Sequence, residues 1–181
     1  MQFQTTSLPG LWLIELDLRE DERGFFTRTF CEQEFARHGL HTRWPQGNYT
    51  VTQKLGALRG MHFQAAPRPE IKLVRCVTGR IFDVLLDVRR DSPTFGQWEG
   101  FELSADRPRQ LYVPAGLAHG FQCLEDHCGV AYQMSEFFVP ELARGIRWND
   151  PFFQVRWPHE PAVMSPKDRQ LPDFDPSRDA Q

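Results

Sequence analysis

Six side chains can exchange protons near neutral pH as imidazoles: His38, His41, His62, His119, His127 and His159. Two of them have telling neighbours. His62 stands in LRGMHFQ, just after Arg59 and Gly60 and ahead of a run that carries Lys72. His119 stands in VPAGLAHGF, where Pro114, Gly116 and Gly120 shape a turn between strands. A single histidine is most often a hydrogen-bonded core or surface residue. Two in such settings within one small chain point to acid–base or metal chemistry. The four cysteines, Cys31, Cys76, Cys123 and Cys128, lack a paired CxxC rhythm and read as reduced, largely buried thiols rather than zinc ligands.

The elements that must hold these residues are short strands. The chain has 181 residues, 15 of them Phe and 5 Trp, with 14 Pro and 13 Gly, a composition that favours strands and turns over long helices. IKLVRCV, a turn at TGR, IFDVLLDV, a turn at DSPTFG, QWEGFEL, RQLYVP, GFQCLE and GVAYQMSEFF succeed one another at the spacing of two antiparallel sheets. LWLIELDL and FFTRTF read as a further strand pair around Arg23 and Gly24. CEQEFARHG is the best helix, with Gly39 as its stop. Residues 1–171 read as one domain and 172–181 as a loosely ordered polar tail. The net charge of −3 and pI near 6.1 exclude a general polyanion surface and hence duplex nucleic acid as partner. No apolar run approaches the ~18 residues of a membrane span, and the opening MQFQTTSLPG lacks the features of a secretion signal, so a cytoplasmic location is expected.

The PxGxxH pattern ending at His119 resembles the second motif of the cupins, jelly rolls whose interior holds a metal or a small ligand. Metal-dependent cupins commonly carry HxH in their first motif, where this chain reads His62-Phe63-Gln64. A three-histidine site is therefore ruled out, although His62, Glu70 and His119 remain a conceivable two-histidine, one-carboxylate set. On that alternative the protein is a metal-dependent cupin oxygenase or isomerase.

A fuller match runs through DERGFF, QGNYT, ALRGMHFQ, KLVRCVTGRIFDVLLDVR, SPTFGQW, LYVPAGLAHGF, YQMSEFFVP, IRWNDP, RWP and SPKD. In order and spacing these motifs resemble the dTDP-4-dehydrorhamnose 3,5-epimerase family. The resemblance implies a mainly β, cupin-like jelly roll (a double-stranded β-helix) with a few short peripheral helices. It also implies a homodimer exchanging N-terminal strands, and chemistry on a nucleotide-linked 4-keto-6-deoxyhexose without metal or other cofactor. Inverting a carbon beside a ketone requires a base, a holder for the enolate oxygen and an acid on the opposite face. By resemblance His62 is the base, Asp168 fixes its tautomer, Tyr132 is the acid and Lys72 holds the enolate. Arg23 and Arg59 bind the diphosphate. Gln46, Asn48, His119, Phe138 and Lys167 line the substrate site, as do Arg19 and Arg28.

The chain departs from the family pattern at Arg19, usually an aromatic, and at Arg28 and Ala143, both usually glutamate. It departs again at Phe138, usually a tyrosine that stacks on the base. An arginine can only donate hydrogen bonds, whereas thymine N3–H needs an acceptor. Arg19 and Arg28 at the base therefore raise a CDP- or GDP-linked sugar as an alternative to the family's dTDP. The five cations Arg19, Arg23, Arg28, Arg59 and Lys72 are expected to converge on one concave site. A binding-only jelly roll is the remaining alternative, disfavoured because such a protein has no need of a paired acid and base.

Overall fold

Side chains alternate across a pleated strand, so one strand can present an apolar face to a core and still offer a polar group where the core gives way to a cavity. Most of the long strands here do this. The computed structural model describes residues 1–181. A six-stranded antiparallel sheet combines β1 (Gln2–Thr5), β2 (Trp12–Glu15), β5 (Gln46–Thr52), β7 (Lys72–Thr78), β10 (Arg109–Val113) and β12 (Cys128–Met134) in the order β1-β2-β10-β7-β12-β5. Facing it, a five-stranded sheet combines β6 (Leu58–Gln64), β8 (Arg80–Asp87), β9 (Trp98–Ser104), β11 (Leu117–Cys123) and β13 (Ala143–Gly145) in the order β13-β6-β11-β8-β9. This is the expected jelly roll.

Val74, Cys76, Leu111 and Val130 of the first sheet meet Ile81, Leu85, Leu103 and Phe121 of the second in a buried core. At the other end, the same inward face of β7 and β12 carries Lys72, Tyr132 and Met134, and the interior opens into a cavity. The outer face of the six-stranded sheet is sealed by α1 (Glu32–Arg37), whose Phe35 is fully buried among Ile14, Leu73 and Tyr112. Gly39, just beyond this helix, takes φ +68°, the left-handed conformation that the stop signal required. The outer face of the five-stranded sheet is covered by the C-terminal segment, through Ile146, Phe153 and Phe174 on Met61, Val84 and Leu86.

Two expectations fail. The N-terminal hairpin is not LWLIELDL against FFTRTF. β2 pairs instead with β1 and β10, and the hairpin is β3 (Arg19–Asp21) with β4 (Gly24–Phe26). β10 offers β2 a partner of matching apolar alternation, which the nearer segment lacks. Residues 172–181 are not loose either. Phe174 is buried, α3 (Pro176–Asp179) is capped by Asp175, and the Gln181 backbone bonds to Val88 and Arg90. One aromatic within a polar stretch anchors it. The four cysteines are free thiols, and burial pushes Cys76 and Cys123 up to about 12. No helix is long and apolar enough to cross a membrane.

Candidate active site

Between the sheets lies a cavity of about 760 Å³, within the range that holds a small-molecule ligand. His62 enters it from β6. Its Nε2 lies 2.7 Å from Asp168 Oδ1, a carboxylate brought from the far C-terminal region by α2 (Pro166–Arg169). That short helix is fixed by its first residues. Pro166 presets the first turn, and Ser165 Oγ accepts from the Asp168 amide at 3.0 Å. Burial works to raise the Asp168 pKa. The hydrogen bond and charge of His62, the Gly60 amide and Ser165 overcome it and hold the carboxyl below its ordinary value. Ionised Asp168 can only accept, so it places the neutral imidazole's proton on Nε2 and leaves Nδ1 as the basic atom. The His62 side chain is 44% exposed and Asp168 only 7%, which puts the imidazole on the cavity surface and the carboxylate behind it.

Arg59 also lines the cavity, although a regular pleat would send residues three apart to opposite faces. The strand changes phase between them. The β6–β11 register shifts between His119 and Phe121, and Gly60, at φ +122°, sits so close to β11 that a Cβ there would lie 2.6 Å from Gly120 Cα. Only glycine fits this approach. Arg59 Nε donates to Thr52 Oγ1 at 2.9 Å, which steers the rest of the guanidinium along the cavity wall.

Tyr132 reaches the cavity from the opposite sheet, on β12, in register with Asn48 of β5. Burial, reinforced by the nearby Glu70 charge, raises its phenol above the ordinary tyrosine value. Lys72, on the neighbouring strand, pairs with Glu70 at 2.9 Å and donates to the His62 carbonyl at 3.3 Å. His119 is the register partner of His62 on β11, and its Nε2 lies 2.9 Å from buried Asp83. Gln46, Asn48, Phe138 and Lys167 line the same cavity, with Phe138 half exposed and Gln46 accepting from its amide.

Three sequence-predicted residues are absent from this assembly. Arg23 is spent on Asp21 within the β3–β4 hairpin, Arg28 pairs with Glu34 at 3.6 Å, and Arg19 is exposed on the hairpin. The five cations therefore do not converge within one chain. The hairpin forms a separate two-stranded sheet, and Arg19 and Arg28 do not line the cavity of their own subunit. The two-histidine, one-carboxylate set does not form either. Glu70 is taken by Lys72 and His119 by Asp83, and no three metal-binding side chains converge. Gln64, where an HxH motif would place an imidazole, instead ties loops together through Arg68, Phe137 and Val139. Sequence reasoning gave no place to Arg144, which lines the cavity from β13, or to Asp83, which supports His119, and weighed Glu70 only as a metal ligand. The spacing of Glu70 two residues before Lys72, which puts both on one face, was the available signal.

A family model described as dTDP-4-dehydrorhamnose 3,5-epimerase matches residues 5–176. The chain is 43% identical to the dTDP-4-dehydrorhamnose 3,5-epimerase of Methanothermobacter thermautotrophicus, over 93% of this chain and 91% of that one. Its fold is similar to the crystal structure of the Bacillus anthracis enzyme of that name with TDP and PPi bound, at TM-score 0.93 and 39% identity, covering 96% of this chain and 99% of that one. It is also similar to ChmJ, a 3'-monoepimerase from Streptomyces bikiniensis in complex with dTDP-quinovose, at TM-score 0.87 and 32% identity, covering 93% and 85%.

Proposed function

The chain belongs to the dTDP-4-dehydrorhamnose 3,5-epimerase family, and we propose that it epimerises a dTDP-linked 4-keto-6-deoxyhexose beside the ketone through His62 and Tyr132. The observation that carries this reading is their opposition: a carboxylate-backed imidazole on one sheet faces a protonated phenol on the other across a ligand-sized cavity. His62 Nδ1 takes the proton from C3 or C5. The C–H electron pair moves into the ring bond to C4, and the carbonyl oxygen becomes an enolate held by Lys72. Tyr132 then delivers its proton to the carbon from the other face, and the enolate collapses to the ketone with inverted configuration. Asp168 stabilises the imidazolium between these steps, as the carboxylate of a hydrolase triad does. Arg59 suits the diphosphate, since a planar fork matches phosphate oxygens, and Phe138 offers the base a stacking face. Whether one carbon or both are inverted follows from how the sugar turns in the cavity, and the neighbours named above include both kinds of enzyme.

Within this reading the β3–β4 hairpin serves a second copy of the chain. Phe25 and Phe26 are 51% and 65% exposed at its tip, and the six-stranded sheet ends in two open edges, β1 and β5. Exchange of N-terminal strands in a homodimer covers both features and carries Arg19, Arg23 and Arg28 toward a partner. Phe26→Asp is expected to convert dimer to monomer in light scattering; a wild-type monomer would contradict the assembly.

The activity is tested by incubating the enzyme in deuterium oxide with a dTDP-linked 4-keto-6-deoxyhexose and following C3 and C5 by NMR. Exchange and inversion are expected in the wild type and neither in His62→Ala. Calorimetry with dTDP, CDP and GDP is expected to give tightest binding for dTDP; stronger CDP or GDP binding would restore the altered-nucleotide reading.

A further inference from the structure

Glu70 is the one acid that faces the reacting residues from the six-stranded sheet's side, and half of its carboxylate is unaccounted for. Its side chain is only 8% exposed, and Oε1 is fixed by Lys72 at 2.9 Å. Lys72 is itself held by the His62 carbonyl, so the carboxylate cannot readily turn. The other oxygen, Oε2, is buried and has no hydrogen-bond partner in the protein. Buried acceptors are nearly always satisfied, and an exception on a cavity wall marks a place where a ligand donor belongs. Its charge is also close enough to Tyr132 to act on the phenol's proton affinity.

We infer that Glu70 is a specificity-determining residue whose free Oε2 accepts a hydrogen bond from a ring hydroxyl of the sugar, orienting the ring between His62 and Tyr132. The inference rests on the epimerase reading, since it assumes that the sugar occupies this cavity. A 4-keto-6-deoxyhexose offers two hydroxyls able to donate, at C2 and C3, and no other acceptor in the cavity is both charged and free. Asp168 is engaged by His62 and lies behind it. A hydroxyl bonded to Glu70 lies beside Lys72, which places the C4 oxygen, one or two bonds away on the ring, within the ammonium's neighbourhood. Recognition and enolate stabilisation would then share one ion pair. A substrate lacking the hydroxyl leaves Oε2 desolvated and unpaired, and such sites reject the deficient analogue strongly.

The test compares the full substrate with its 2-deoxy and 3-deoxy analogues, reading kcat/KM for solvent deuterium entry at C5, a position all three retain. In the wild type one analogue is expected to react about 10- to 100-fold more slowly than the full substrate. Glu70→Gln, which keeps an oxygen but no charge, is expected to shrink that ratio, and Glu70→Leu to bring it near one. Any change that the substitutions make in Lys72 alters all substrates alike and cancels in the ratio. Calorimetric binding of dTDP confirms that each variant is folded, and Glu70→Gln preserves shape if Glu70→Leu does not fold. A wild-type ratio near one for both analogues, or a ratio unchanged in Glu70→Gln, would overturn the inference. Exchange persisting in His62→Ala would instead defeat the epimerase reading itself.

Discussion

Two histidines stand side by side on the five-stranded sheet, each backed by an aspartate, and the two pairs differ in exposure and in the element that supplies the acid. His62 and His119 are register partners on adjacent strands. His119 is 10% exposed with Asp83 fully buried behind it, both on strands of one sheet, whereas His62 is 44% exposed and its aspartate arrives from a capped helical turn 106 residues away. The first pair is part of the wall. The second presents a basic nitrogen to the cavity and keeps its carboxylate ionised in reserve. The same two residue types thus give a buried structural contact or, on the proposed mechanism, a proton carrier, according to which partner is exposed and which element supplies the acid.

Substitutions should separate the two pairs in this order. Asp168→Asn removes the charge that orients and stabilises the imidazole, and kcat is expected to fall on the order of 10³-fold with little change in Tm. Asp83→Asn is expected to change kcat by less than about tenfold in the same assay. Equal losses in both would erase the distinction. Asp83→Ala strips a buried imidazole nitrogen of its acceptor, at about 1–3 kcal/mol, which thermal unfolding should register as a Tm lowered by several degrees. Little change there would mean that His119 finds another partner.

The smallest effects are those of pH. The Asp168 pKa is depressed on folding, so its contribution to stability is present above the unfolded value of about 3.9 and is lost only as pH falls through the lower folded value. Acid titration of His62→Ala should therefore show a smaller stability loss below pH ~4 than the wild type. Tyr132 is shifted upward, so the alkaline limb of kcat for inversion is expected above pH ~10 in the wild type, and the deuterium exchange that survives in Tyr132→Phe is expected to lack it.

Much of the site was legible because its residues ride on strands of their own chain. Lys72 and Tyr132 sit in apolar runs whose alternation fixes the face each presents, His62 stands just past the glycine that resets the phase of β6, and PKD after a serine announces the capped turn that carries Asp168. The position of the hairpin arginines outside their own chain's cavity is not legible in the sequence, because β3 and β4 are exposed on both faces and no burial pattern says what they point toward. Glu70 was undervalued for a different reason. Read as a metal ligand, Glu70 is set beside the two histidines, and the structure instead buries it in a pair with Lys72 two residues on. The tail reads as loose because eight polar or turn-forming residues outweigh one Phe174 in composition, although one buried aromatic is enough to dock it.

The central claim is that proton removal and proton return come from opposite sheets, and Tyr132→Phe tests it most directly. His62 is intact in this variant and open to solvent, so it should still remove the α-proton and return a deuteron to the same face. NMR in deuterium oxide is predicted to show label entering the 4-keto sugar with retained configuration and inversion lost. Inversion at the wild-type rate in Tyr132→Phe would contradict the account, since another group would then have to protonate from the six-stranded sheet's side.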